Sequence, residues 1–231
     1  MNIIPALLVK TKEELQKQIT TVSPYFSTVQ IDIADGTFVP NKTLSIQNVL
    51  ETCSLSPKGI VFDFHLMVVD YRKALQELKI FSPLISIGNI FLHSKLAPPL
   101  EQLKFECNNL TIGLAINPEE QIDDLAVQYT LSSIPFLQIM TVNPGFQGGS
   151  FLSDSLYKIE QLKKHDYRSP IYVDGGINDR TISQIMQKKY RPNYLCVGSY
   201  LSNAGDELEA RIAQLHLKMK TGSATPASEK Q

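Results

Sequence analysis

Eight short apolar or β-branched runs recur along the chain, at residues 3–9, 28–33, 60–65, 84–92, 110–116, 136–141, 170–173 and 194–197. Stretches with helical spacing separate them, such as Glu13 to Ile19, Tyr71 to Leu78 and Leu156 to Leu162. Strands joined through helices run parallel, so this alternation restricts the chain to α/β architectures. Eight strand–helix units are what a closed (β/α)₈ barrel, the TIM barrel, requires. An open doubly wound sheet fits less well, because about six strands suffice for it and no GxGxxG follows the first run. Thr11, with Glu14 three residues on, forms a capping-box pattern that starts a helix directly after the first strand.

The 231 residues suit one such barrel, and 43% hydrophobic side chains can fill its core. The expected domain is residues 1–220. Its last helix, near Asp206 to Lys220, presents Leu208, Ile212, Leu215 and Met219 on one face. Residues 221–231, small and polar, are expected to be a disordered tail. Lys plus Arg is 22 against 23 for Asp plus Glu, so no overall basic field points to nucleic acid. No run approaches the roughly 18 apolar residues of a membrane span. Cys53, Cys107 and Cys196 lack metal-ligand spacing and fit buried, reduced thiols, hence a cytoplasmic protein.

In a closed parallel barrel, chemistry sits where strands end. Asp32 lies near the end of the second run, His65 ends the third and Asp174 ends the seventh. One aspartate after a strand is an ordinary turn former, and one histidine in an apolar run is an ordinary core residue. Two carboxylates and an imidazole on one rim instead suit a divalent metal or a proton-transfer pair. Asp63 shares the face of His65 one layer deeper and is expected to be structural. Asp35 with Gly36 reads as a turn. His93 is a pocket-lining or structural residue, and His165 and His216 belong on the surface.

Glycines gather after the sixth, seventh and eighth runs: Gly145, Gly148 and Gly149 around Phe146 and Gln147, then Gly175 and Gly176, then Gly198 before Ser199. Glycine lets backbone N–H groups approach an anion closely, and loops seven and eight are the usual phosphate site of such barrels. A phosphorylated ligand held without lysine or arginine is the expectation.

The motifs IDIADGTFVPN, FHLMV, GLAINPE, MTVNPGF, VDGGI and VGS, in this order over nearly the whole chain, resemble ribulose-phosphate 3-epimerases and relatives acting on phosphorylated ketoses. The resemblance implies a (β/α)₈ barrel. It also implies inversion of a carbon beside a keto group, as in conversion of D-ribulose 5-phosphate to D-xylulose 5-phosphate, with Asp32 and Asp174 as acid/base groups. A divalent ion (Zn, Fe, Mn or Mg) would be held by Asp32, His65 and Asp174. The phosphate would sit against Gly145, Phe146, Gln147, Gly148, Gly175, Gly176, Gly198 and Ser199, with His65 also near substrate.

The family's second metal-binding histidine is replaced by Gln30, two residues before Asp32 and on the same strand face. As a ligand it would offer an amide oxygen, which suits Mg²⁺ or Mn²⁺ better than Zn²⁺, and metal affinity is expected to fall. Ala6 stands where the family has a serine, Ala34 where it has a methionine, and NPGFQGG where it has NPGFGGQ. Three readings follow: an epimerase for ribulose 5-phosphate or another ketose phosphate such as a hexulose 6-phosphate; a catalytically weakened phosphosugar-binding paralogue; or a sugar-phosphate aldolase or decarboxylase, for which Lys10 and Lys95 are the nearest lysines. A homo-oligomer is compatible with all three.

Overall fold

A computed structural model describes residues 1–146 and 148–221. Eight strands alternate with helices: β1 (Asn2–Leu7), α1 (Lys12–Val22), β2 (Thr28–Ala34), α2 (Ile46–Ser54), β3 (Val61–Met67), α3 (Tyr71–Phe81), β4 (Ser86–His93), α4 (Leu100–Glu106), β5 (Thr111–Ile116), α5 (Ile122–Gln128), β6 (Leu137–Met140), α6 (Tyr157–Lys164), β7 (Ile171–Asp174), α7 (Thr181–Met186) and β8 (Tyr194–Val197). A short α8 (Ser199–Ser202) and a long α9 (Leu208–Thr221) complete the described chain. All strand pairs are parallel, and the sheet closes where Ile4 of β1 lies opposite Cys196 of β8. The expected barrel is therefore the observed fold.

Local chemistry sets the helix starts. The Glu14 N–H donates to Thr11 Oγ1 at 3.2 Å, while the Glu14 carboxylate reaches back to the Lys10 N–H, also at 3.2 Å. The return bond thus falls one residue before the cap itself. Asp70 caps α3 through the Lys73 N–H at 3.1 Å. Each helix turns its apolar stripe to the barrel: α1 buries Leu15, Ile19 and Val22, and α9 buries Leu208, Ile212 and Leu215, with Met219 packed at the edge. Each such side chain contributes about 2 kcal/mol of transfer free energy.

Most strand boundaries shift by one or two residues from the sequence expectation. β1 stops at Leu7 because the chain then leaves the sheet, and the Val9 carbonyl accepts from the Leu44 N–H at 3.0 Å. β3 continues to Met67, which pairs with Ala34. Thr221 is the last residue of α9 and not the start of a tail, and residues 222–231 lie outside the described residues. No helix among the described residues is long and apolar enough to cross a membrane.

The barrel interior divides by chemistry. Toward the strand starts, Phe91, Phe136 and Tyr172 meet edge to face, with ring centroids 4.9 to 5.9 Å apart, and Tyr172 stacks on Tyr194 at 4.4 Å. Ile4, Ala6, Ala115 and Cys196 fill the gaps of this plug. Asp32, His65 and Asp174 lie beyond it, toward the strand ends, whereas Asp63 and Asn89 sit at the level of the plug beside Tyr172 and Tyr194.

Candidate active site

Alternation along β2 aims Gln30 and Asp32 into the barrel, and the same parity aims Asp63 and His65 inward from β3. Asp32 and His65 are register partners, and Asp174 on β7 pairs with Met140 and Cys196. Asp32, His65 and Asp174 all line one narrow cavity at the C-terminal mouth, with Ala6, Leu8, Met67, Met140 and Val142 as its apolar wall.

The same cavity is lined by Gly145, Phe146, Gly148, Gly175, Gly176, Gly198 and Ser199, so the glycine loops and the carboxylates are brought together. Gln147 lies outside the described residues. Gly175 has φ +112°, and a Cβ there would collide with Val142; Gly145 also has φ +112°, and a Cβ there would lie 2.7 Å from Val39 Cβ. The loop after β6 is pinned from both sides. Asn41 Nδ2 donates to the Gly145 carbonyl at 2.6 Å, and Thr141 Oγ1 donates to the Gly175 carbonyl at 2.6 Å. Ser199 opens α8, which has only four residues, so the backbone N–H groups rather than a long helix dipole are what this end offers an anion.

Asp35 does not line the cavity. Its carboxylate accepts from the Thr37, Phe38 and Val69 N–H groups at 2.7 to 2.8 Å, as a turn residue should. Burial alone would raise its pKa, but those backbone donors outweigh it and lower it. Asp63 is buried below the site and accepts from the Asn89 N–H at 2.7 Å. His165 meets Asp123 at 3.0 Å on the surface, and His216 is exposed. The three cysteines are buried and free. Lys10 is exposed, Lys95 points to Glu119 at 4.0 Å, and no lysine lines the cavity among the described residues.

His65 Nδ1 stands 3.3 Å from Asp32 Oδ1 and 3.7 Å from Asp174 Oδ2, and its Nε2 is 2.9 Å from His93 Nε2. Burial works against charge on His65, but the Asp32 hydrogen bond and both carboxylates raise its pKa. Burial, then the neighbouring His65, hold His93 well below the ordinary histidine range. One N–H lies between the two Nε2 atoms, so His93 supports His65, a role the sequence had left open. Asp174 is pushed up to about 7, by burial first and then by the charge of Asp32, with His65 and Gln30 acting the other way.

Asp32, His65 and Asp174 each bring one donor atom within 4.8 Å of the others, close enough for one cation. Gln30 does not join them as an oxygen donor. Its Nε2 donates to Asp32 Oδ1 at 2.8 Å and to Asp174 Oδ2 at 2.7 Å, and its oxygen accepts from the Cys196 thiol at 3.1 Å. A second amide, absent from the sequence-based site, joins here: Gln138 Nε2 donates to the same Asp174 oxygen at 2.7 Å. The signal for it was one polar residue in the otherwise apolar β6, two positions before Met140 and therefore on the inward face.

A family model described as the ribulose-phosphate 3 epimerase family matches residues 2–201. The chain belongs to that family. A ribulose-phosphate 3-epimerase of Helicobacter pylori is 29% identical over 214 residues, covering 89% of this chain and 93% of its own. One from a Synechocystis species is 30% identical over 216 residues, with 90% of each covered. Among solved structures, a 3-hexulose-6-phosphate synthase superposes with a TM-score of 0.63 at 14% identity, covering 95% of this chain and all of that one. Phosphoribosyl anthranilate isomerase from Thermotoga maritima superposes with a TM-score of 0.65, also at 14% identity, over 96% of this chain and all of that one. At such identities these two establish the barrel and nothing finer. As a member of the epimerase family, this chain belongs to the isomerase class.

Proposed function

We propose that this family member inverts C3 of a ketose phosphate, D-ribulose 5-phosphate being the first substrate to try, by two-aspartate proton transfer. The observation that carries the reading is that Asp32 and Asp174, from β2 and β7, line one cavity mouth together with the glycine loops. In this scheme the Asp32 carboxylate removes the C3 proton, and the C–H electron pair moves toward the C2 carbonyl to form an enediolate. Protonated Asp174 then delivers its proton to the opposite face of C3 as the electron pair returns. One carboxylate ionised and the other protonated near neutrality is the state this exchange needs, and the raised Asp174 supplies it.

His65, beside both acids, places positive character near the developing oxyanion. The apolar wall of Met67, Met140 and Val142 keeps water from quenching the intermediate. The backbone of Gly145, Phe146, Gly148, Gly175, Gly176, Gly198 and Ser199 would hold the phosphate and fix C3 between the acids.

The test is epimerisation of D-ribulose 5-phosphate in D₂O, with deuterium at C3 followed by NMR. Deuterium should enter at the inverted carbon, and Asp32→Asn and Asp174→Asn should each lower turnover by at least about a thousandfold. Unchanged turnover in both variants would eliminate the assignment. A second reading, a phosphosugar-binding protein without turnover, draws on the Gln30 amide that ties the two carboxylates together. Calorimetric binding of the sugar phosphate without any isomer exchange would establish that reading instead.

A further inference from the structure

The two glutamines inside the barrel do more than fill space. Gln30 spends both amide hydrogens on the carboxylate pair, one on Asp32 Oδ1 at 2.8 Å and one on Asp174 Oδ2 at 2.7 Å. Gln138 adds a third N–H on Asp174 Oδ2 at 2.7 Å, and its nitrogen lies 3.6 Å from Met140 Sδ. The orientation of Gln30 follows from chemistry on both sides. A carboxyl oxygen that carries no proton only accepts, as Asp174 Oδ2 does from two amides, and the Cys196 thiol, 3.1 Å from Gln30 Oε1, donates. Turning the amide over would set its oxygen against two carboxylate oxygens and leave its NH₂ facing sulfur.

A cation joining Asp32, His65 and Asp174 would draw on lone pairs of the same two carboxylates, at about 2.0 to 2.2 Å from each oxygen. The Gln30 nitrogen already stands between those oxygens and contacts both. An ion on those two oxygens and the amide hydrogens cannot share that position, so its entry there breaks both hydrogen bonds and forces the amide to invert. Gln138 meanwhile satisfies Asp174 from the adjacent strand with no ion present. Both amides are fully buried, so no water competes for these donors.

We infer that Gln30, supported by Gln138, is a positioning residue that bridges Asp32 and Asp174 in place of a divalent cation, so that this site operates without metal. Asp32 and Asp174 being the acid/base pair is taken over from the proposed function. The metal arm of the test does not depend on it.

The full chain is stripped with EDTA and titrated with Mn²⁺, free ion being read by electron paramagnetic resonance. Wild type should show no saturable site below about 1 mM, whereas Gln30→His should bind one Mn²⁺ per chain about 10- to 100-fold more tightly or better. His65→Ala in the Gln30→His background should abolish that gain. Epimerisation by wild type should be unchanged by EDTA, and that of Gln30→His should become EDTA-sensitive. A wild-type chain that binds one Mn²⁺ at micromolar concentration, lost in His65→Ala, overturns the inference. So does a folded Gln30→His variant that binds no better than wild type. The wild-type titration decides alone should the variant not fold. A chain that neither binds Mn²⁺ nor epimerises upholds the inference while removing the proposed function; one that binds tightly and epimerises does the reverse.

Discussion

Replacing Asp63 by asparagine should stabilise the protein, and more so as pH rises. Asp63 is only 2% exposed, and its one described donor is the Asn89 N–H at 2.7 Å. Burial pushes its pKa up to about 6 from an ordinary 3.8, with the Asn89 N–H acting in the other direction. Because the folded-state value lies above the unfolded one, the native state is favoured by the proton below pH 3.8. That advantage is lost as pH climbs through about 6. Roughly two pH units at about 1.4 kcal/mol each make the ionised carboxylate cost about 3 kcal/mol above pH 7. Asparagine keeps the oxygen that accepts from Asn89 and cannot ionise. The gain in stability should therefore be about 3 kcal/mol at pH 8 and about half that at pH 5. For a barrel of this size it corresponds to a rise in Tm of roughly 6 to 12 °C at pH 8. Thermal unfolding of both proteins at pH 5 and pH 8, followed by circular dichroism, measures it. An equal gain at both pH values, or a loss at pH 8, would refute the reasoning that desolvation governs this carboxylate.

Three further outcomes are expected. Asn41→Ala removes the 2.6 Å bond to the Gly145 carbonyl, so KM for the sugar phosphate should rise about tenfold with kcat little changed, by steady-state kinetics. Gly113→Ala drives a methyl group into the Phe136 ring and carbonyl, and chemical denaturation should register a loss of about 2 to 3 kcal/mol. Since Asp174 is raised to about 7, its proton is present below that pH and lost above it. The singly protonated pair should then give a kcat/KM that falls about tenfold per pH unit on the alkaline side.

Much of the fold could be read from the linear pattern because each strand and helix is a local choice. β8 falls on the expected residues 194–197, and β2 runs only one residue past its expected end. The departures came where a neighbour intervened: Val9 reads as strand but serves the Leu44 N–H outside the sheet. Asp32, His65 and Asp174 were legible because strand parity and strand ends settle which side chains reach the mouth of a parallel barrel. The Asp35 turn was legible for a similar reason, since Asp followed by Gly is a local backbone signal.

Gln138 was not legible as part of the site, and His93 was legible only as a residue either lining the pocket or supporting it. Each depends on what the neighbouring strand presents, Asp174 for one and the Nε2 of His65 for the other. Asp63 needed the β3–β4 irregularity, where Gly88 leaves room for its carboxylate to meet the Asn89 N–H.

Gln30 marks the boundary most clearly. That an amide replaces an imidazole beside Asp32, on the inward face, is a fact of the sequence alone. Which end of the amide meets the acids is not, because that depends on a thiol 166 residues away and a carboxylate 144 residues away arriving on opposite sides of it. Composition and periodicity determined the barrel and its rim. Only closure of the barrel, by setting donors against acceptors in a space without water, decided that this glutamine presents hydrogens to the two aspartates.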